Sequence, residues 1–381
     1  MQFAPFELER TFAKYEHVPG MNVLGASDAE TLTVDQLLKM SREPVDLTRL
    51  TLGYGDTRGL WELRKAIAES YETEAIRPEN VLVTVGASEA IFLALHTMMK
   101  PNDTALVCEP AYQGLYEMAS AAGARVIKYG FNEANDGFAP DLDFIQRTLS
   151  QRPAPDLLVL NSPHNPTGHA FDESSMKELL ALARENGTRV LVDEVFLGVV
   201  INSEQQIQSA ALLDQEASVI GSFSKVYGLA GLRVGWLVGK TEFIEQCIDL
   251  RYYTVLVPPS IVQQLAIIAI ENKARILART QSNVDENFDY VRRWLDERAD
   301  VLDWVRPTAG LVMLIRLKSD RNTAEFTGEL AERCKVFLVP CTTCFGMPEG
   351  FLRLGLGGNP AAFRAGLKVF DNYLRTQKCT R

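Results

Sequence analysis

The stretch Ser222-Phe223-Ser224-Lys225-Val226-Tyr227-Gly228-Leu229-Ala230-Gly231-Leu232-Arg233-Val234-Gly235 decides how this chain is read. A single lysine follows a short apolar run and sits among small residues, with an arginine further along the same loop. In most surroundings such a lysine is a solvated surface charge. Here Ser222 and Arg233 flank it with a hydroxyl donor and a fixed cation, the groups that bind phosphate. Burial would lower the lysine's pKa and make its amine a Schiff-base nucleophile.

Outward from this stretch, short apolar runs alternate with longer helical patterns. Residues 81–85, 104–108, 126–129, 157–160, 190–192, 219–221 and 235–238 read as buried strands. Residues 89–99, 112–122 and 174–186 read as helices between them. This alternation predicts an α/β fold with a mostly parallel central sheet flanked by helices. Ligands of such sheets sit beyond the carboxyl ends of the strands, where the chemically informative residues of this chain fall.

After Pro258 the pattern changes to a long helical stretch over 260–298. Strand-like runs at 312–316, 336–339 and 351–355 follow, with helices at 324–335 and 361–376. The expected organisation is therefore a large domain over 41–258 and a smaller α+β domain over 259–381. Residues 1–40 read as irregular, packing on the small domain and covering the site.

Composition removes several function classes. The 381 residues are 46% hydrophobic and 23% charged, the profile of a globular protein with a sizeable core. Net charge is −10, and no basic stripe suited to nucleic acid is present. No apolar stretch approaches the roughly 20 residues of a membrane span. The first residues lack the basic and apolar regions of a signal peptide, so a cytoplasmic protein is expected. Cys341-Thr342-Thr343-Cys344 lies late in the chain with no second ligand pair, so no metal site is assigned. His164 reads as structural.

The lysine segment has the S-x-S-K-x-x-G-L-x-G-x-R-x-G form of the aminotransferase class I/II branch of fold-type I pyridoxal phosphate (PLP) enzymes. The chain is identified as a member on this and on further segments in the same order. Asn161-Ser162-Pro163-His164-Asn165-Pro166-Thr167-Gly168 resembles the family's N-P-T-G loop, and Asp193 follows an apolar strand. The resemblance implies that Lys225 carries the cofactor and that Asp193 pairs with its pyridine nitrogen, so that the ring acts as an electron sink. It implies that Asn165 donates to the ring oxygen O3′ and that Tyr112 stacks on the ring. Gly86-Ala87-Ser88 opens a helix after a strand, a backbone cradle for phosphate, with Ala87 and Ser88 making the contacts. Ser222, Ser224 and Arg233 complete the phosphate site. Tyr54 is implied to reach the phosphate of a neighbouring subunit, which makes the protein a homodimer with shared sites. Arg353 is implied to grip the α-carboxylate of an amino-acid substrate, with Asn165 and Gly25 beside it.

One position departs from an ordinary aminotransferase. Three residues after Asp193, where most carry a tyrosine that donates to O3′, this chain has Phe196. A hydrogen bond to a charged acceptor is worth about 1.5–3 kcal/mol. The same D-x-x-F is found in PLP enzymes acting on arginine and hydroxyarginine, and the chain is most similar to the capreomycidine- and enduracididine-forming cyclases among them. Residues 86–90, 137–143, 225–236 and 251–259 also resemble those enzymes. The implied function is a cyclodehydratase that removes water from a hydroxy-L-arginine, 4-hydroxy favoured over 3-hydroxy, and closes a cyclic guanidine. A guanidinium needs a carboxylate; Glu9 is favoured over Glu7, Glu16, Asp28 and Glu89. The alternatives are an amino-acid aminotransferase and an oxygen-using arginine oxidase. A PLP-sensing transcription factor is excluded, since the residues before Tyr54 carry no DNA-binding module.

Overall fold

A computed structural model describes residues 3–134, 137–201 and 205–376. The strands in chain order are β1 (Val81–Thr84), β2 (Thr104–Cys108), β3 (Arg125–Tyr129), β4 (Phe131–Ala134), β5 (Gly137–Pro140), β6 (Leu157–Asn161) and β7 (Arg189–Asp193). They continue with β8 (Ser218–Ser222), β9 (Gly235–Val238), β10 (Leu302–Val305), β11 (Val312–Leu317), β12 (Val339–Pro340) and β13 (Phe351–Gly355).

Seven of these form the central sheet in the order β1-β9-β8-β7-β6-β2-β3, parallel except for β9. Every strand read from the apolar runs before residue 240 is in it. Successive side chains point to opposite faces, and both faces are dry. Leu82, Val107, Leu157, Val159, Leu191 and Ile220 enter one core, against the helix Gly86–Met98. Val83, Leu106, Leu158, Leu160, Val192 and Val219 enter the other. This is why the strands read as continuous apolar runs instead of alternating ones.

The antiparallel β9 explains the spacing of the opening stretch. Gly235 pairs with both Ser222 and Thr84, so the start of β9 lies at the edge where β8 and β1 end. The loop that leaves β8 through Lys225 must return to that edge, and it brings Arg233 with it.

A second sheet, β10-β11-β13-β12, is antiparallel. The structure departs from the sequence reading at four places. The long helical stretch is two helices, Ser260–Glu271 and Lys273–Asp296, broken at Asn272. The strand expected at 336–339 contributes only Val339 and Pro340 to the ladder. β10, with the sequence LDWV, was not anticipated, nor was the β4–β5 hairpin.

The N-terminal segment is irregular over only part of its length; Val34–Leu38 is a short helix. Glu7–Tyr15 is a helix, held by Phe12 and Tyr15 against Phe337, with ring centroids 5.3 and 5.0 Å apart. Gly25 N–H donates to Phe337 O, and Gly355 N–H to Leu24 O, so the following residues are strapped to the second sheet. The same segment reaches the helix Gly114–Ala121 that follows β2, because Gln113 at its N-cap donates from Nε2 to Pro5 O and accepts at Oε1 from Glu7 N–H. It roofs the space between them.

Candidate active site

Beneath this roof lies a cavity of 610 Å³. The carboxyl ends of β6, β7 and β8 deliver Asn161, Asp193 and Ser222 to its floor. Ala87, Ser88 and Arg233 line one end, and Glu9, Phe12, Glu16 and Asp28 line another part. Lys225, Tyr112, Asn165, Phe196, Ser224 and Arg353 also face it.

The floor holds a buried acid. Asp193 Oδ1 accepts from Val195 N–H at 3.1 Å, and Asn161 Nδ2 donates to the Asp193 carbonyl at 3.0 Å. Burial pushes the Asp193 carboxyl up to about 6, partly offset by the Val195 N–H and by the charge of Lys225. A carboxylate in that setting favours a cationic partner, and a protonated ring nitrogen is one.

The phosphate end is shaped by two close approaches. Gly86 has φ +74°, and a Cβ there would lie 2.4 Å from Arg233 Nη2. The left-handed φ favours glycine there, and its missing side chain leaves room for the Arg233 guanidinium. Arg233, itself left-handed at φ 51°, donates to Ser224 Oγ at 3.3 Å, and Ser222 Oγ lies 3.0 Å from Ser224 Oγ. The helix N-terminus, two hydroxyls and a guanidinium converge on one point, an anion site of phosphate character.

Lys225 Nζ donates to Asp28 Oδ1 at 2.6 Å and to Ser27 Oγ at 3.0 Å. These partners are fixed by the backbone: Ala29 N–H donates to Lys225 O, and a Cβ on Gly228 (φ +67°) would lie 2.6 Å from Glu30 O. Arg353 is wholly buried. Its Nη1 donates to Asn165 Oδ1 at 2.9 Å and its Nη2 to Gly25 O at 2.9 Å, and its guanidinium lies 5.6 Å from the Phe12 ring centroid. With Oδ1 engaged, the Asn165 amide keeps Nδ2 as a donor for the cavity. Tyr112 Oη is 3.5 Å from Glu9 Oε1, and its ring leans on Phe6.

Fourteen of the sequence-predicted residues thus gather in one cavity: Lys225, Ala87, Ser88, Tyr112, Asn165, Asp193, Phe196, Ser222, Ser224, Arg233, Arg353, Glu9 and, among the other candidate acids, Glu16 and Asp28. Gly25 does not line it; its N–H and C=O are engaged by Phe337 and Arg353, so it stands behind Arg353. Tyr54 is elsewhere, 88% exposed on the surface. Glu89 is a structural acid, paired with buried Arg251. His164 is buried beside Cys108 and Thr167, and burial pulls it down to about 3, a neutral ring. The Cys341 and Cys344 thiols are buried and pushed upward, away from redox reactivity. Sequence reasoning missed Ser27 and Phe12. Phe12 had a signal, since Glu9, Phe12 and Glu16 share one helical face; Ser27 had none.

The fold and the site together define a fold-type I PLP enzyme, and pyridoxal 5′-phosphate is the cofactor its residues fit. The chain belongs to the aminotransferase class I and II family, whose model matches residues 20–370. Among its relatives, capreomycidine synthase of Streptomyces vinaceus is 30% identical over 97% of this chain and 92% of its own length. Among solved structures, the PLP-dependent cyclase OrfR superposes with TM-score 0.91 at 26% identity, covering 99% of this chain and 98% of that one. A PLP-dependent aminotransferase from Streptococcus suis superposes equally well, with TM-score 0.91 and 26% identity over the whole of both chains.

Proposed function

We propose that this protein is a cyclodehydratase of a hydroxy-L-arginine, producing a cyclic guanidino amino acid. The observation that carries the reading is the acid lining of the cavity that holds the cofactor site. Glu9, Glu16 and Asp28 face the same cavity as Arg353, with Asp28 on the lysine itself. An α-amino acid held at its carboxylate by Arg353 extends a cationic side chain toward carboxylates, which bind a guanidinium by paired hydrogen bonds. Phe196 and the similarity to capreomycidine synthase and to OrfR support the same reading.

Pyridoxal 5′-phosphate, held by Lys225, Asp193 and the phosphate cup, would supply a sink for the electron pair released at Cα. Arg353 fixes the carboxylate, and Asn165 and Tyr112 fix the ring plane. The Lys225 amine would be the base that removes the α-proton. Asp28, 2.6 Å from that amine, orients it and accepts the guanidinium. A hydroxyl on Cβ then leaves directly, whereas one on Cγ leaves after a second proton is removed from Cβ; either way the oxygen departs as water, taking one proton. A guanidine nitrogen forms the new C–N bond at the carbon that lost the oxygen and releases one proton, and Cα, with Cβ where it was deprotonated, regains the proton it lost. The balance is loss of one water with the amine retained. Tethering supplies the effective concentration of the nucleophile. The N-terminal helix Glu7–Tyr15 keeps bulk water from this sequence of steps. In this reading two subunits share their sites through Tyr54, and the division near Pro258 separates the cofactor-binding domain from the smaller one.

An amino-acid aminotransferase is the second reading, favoured by the complete cofactor constellation and the fit to the Streptococcus suis enzyme. The PLP-loaded protein, given L-arginine and its 3- and 4-hydroxy derivatives without a keto acid, separates them by mass spectrometry. A product one water lighter with its amine retained is expected, and the substrate that reacts fixes the hydroxyl position. Turnover only after addition of pyruvate or 2-oxoglutarate, with a keto acid formed, would overturn the cyclase reading.

A further inference from the structure

Arg251 closes the helix Thr241–Arg251 and is wholly buried, as is uncommon for an arginine. Its Nε donates to Glu89 Oε1 at 3.0 Å and its Nη1 to Thr57 O at 2.6 Å. Its Nη2 is buried with no partner among the described residues. A guanidinium taken out of water with a donor unmet is expensive, so its retention calls for a reason.

Glu89 supplies one. It lies in the first turn of Gly86–Met98, one residue beyond the Ala87 and Ser88 amides that line the phosphate end of the cavity. Its other oxygen accepts from Val85 N–H, the N-cap position of that helix. The carboxylate therefore pins the turn that forms the anion cup. It also sets a negative charge close to where a phosphate dianion must sit, in a partly buried setting where charges are weakly screened. Arg233 answers the phosphate from the open side of the cup. Arg251 faces Glu89 from the buried side.

We propose that Arg251 is a positioning residue for the cofactor phosphate, cancelling the Glu89 carboxylate so that Glu89 can hold the cup without repelling its ligand. The proposal rests on the reading of Gly86 to Ser88 as the phosphate cup. The competing account is a pair that only joins two helices. Both accounts predict lower thermal stability when one partner is lost and recovery when both are removed. They differ in cofactor affinity.

The test titrates pyridoxal 5′-phosphate into cofactor-free protein by fluorescence, with a melting temperature for each variant. Arg251→Gln should weaken cofactor binding at least about tenfold, since it leaves the Glu89 charge unanswered. Glu89→Gln alone and the double variant should bind within about threefold of wild type, because neither carries that charge. Arg251→Lys, which keeps the cation, should also bind within about threefold. Wild-type affinity in a folded Arg251→Gln protein overturns the proposal. So does a double variant as weak as Arg251→Gln, or an Arg251→Lys protein equally weak. If Arg251→Gln does not fold, the double variant decides, and a tenfold loss there overturns the proposal. Arg233→Met reports on the cup itself: if it leaves the affinity unchanged, the cup reading fails, and the role of Arg251 with it.

Discussion

The 2.6 Å contact between Lys225 Nζ and Asp28 Oδ1 concentrates the chemistry of the site at a single carboxylate. The pair is about one-third exposed, so its Coulomb energy is modest, and its value lies in geometry. Asp28 stands on a backbone strapped to the lysine loop, whereas Glu9 and Glu16 project from a surface helix. If Asp28 receives the guanidinium, Asp28→Asn should raise KM for a hydroxyarginine about tenfold or more, the loss of a charge-assisted contact. Cofactor content should stay unchanged, because the phosphate contacts at Ala87, Ser88 and Arg233 are untouched. Steady-state kinetics beside the amount of cofactor released on denaturation reads both. An unchanged KM would transfer the assignment to Glu9 or Glu16. The residues that gather around Lys225 were legible because the lysine segment and the Asn161–Gly168 loop carry the family's residue types at the family's spacing. Asp28 could be named only as one acid among several, since its closeness to the lysine comes from a contact between segments 197 positions apart.

At the scale of elements, β7 does two things at once. Asp193 faces the cofactor site, and the next residue, Glu194, is buried on the other side, accepting from Ala210 N–H and Ser209 Oγ at the start of the helix Ala210–Leu213. Burial pushes Glu194 up to about 8. Between pH 6.5 and 8 the folded protein therefore holds a proton there that the unfolded chain has released. Stability falls as pH rises through this window, by about 1.4 kcal/mol per pH unit at most. Asp193, raised to about 6, acts in the same sense only below that value, and His164 and His169, pulled down to about 3 and 4, act oppositely below their ordinary range. Melting temperatures of cofactor-free protein across pH 6.5–8 should decline, and Glu194→Gln should flatten the decline; an equal slope in the variant would assign the proton elsewhere. The strands of the central sheet were legible because burial on both faces makes them continuous apolar runs. β10 and the β4–β5 hairpin were not, since Leu302–Val305 carries an aspartate and the hairpin strands are short and mixed. The helix Glu7–Tyr15 was passed over because its apolar face is narrow and its pairing with Phe337 is a distant contact.

At the scale of the whole molecule, one surface is out of character. Leu52 is 90% exposed and Tyr253 is 89% exposed, and Tyr252, Val255, Leu256 and Ile261 are exposed as well. Large apolar side chains gathered in this way mark an interaction surface, and Tyr54 belongs to the same stretch as Leu52. If two copies meet there as a twofold dimer, the contact is self-complementary, so whatever Tyr54 gives to a neighbour it receives in return. Subunit mixing tests whether the site is completed across that interface. Lys225→Ala destroys a subunit's own site but leaves its Tyr54 intact. Tyr54→Ala keeps the lysine and spoils only the site that its tyrosine would serve. If Tyr54 acts in the neighbour's site, a hybrid dimer contains one site with Lys225 from one chain and Tyr54 from the other, complete in all its parts. Random reassociation of equal amounts makes half the dimers hybrids, so activity should recover to about a quarter of wild type. If Tyr54 acts within its own chain, every hybrid site lacks one of the two residues, and the mixture should show no more than the Tyr54→Ala protein contributes by itself.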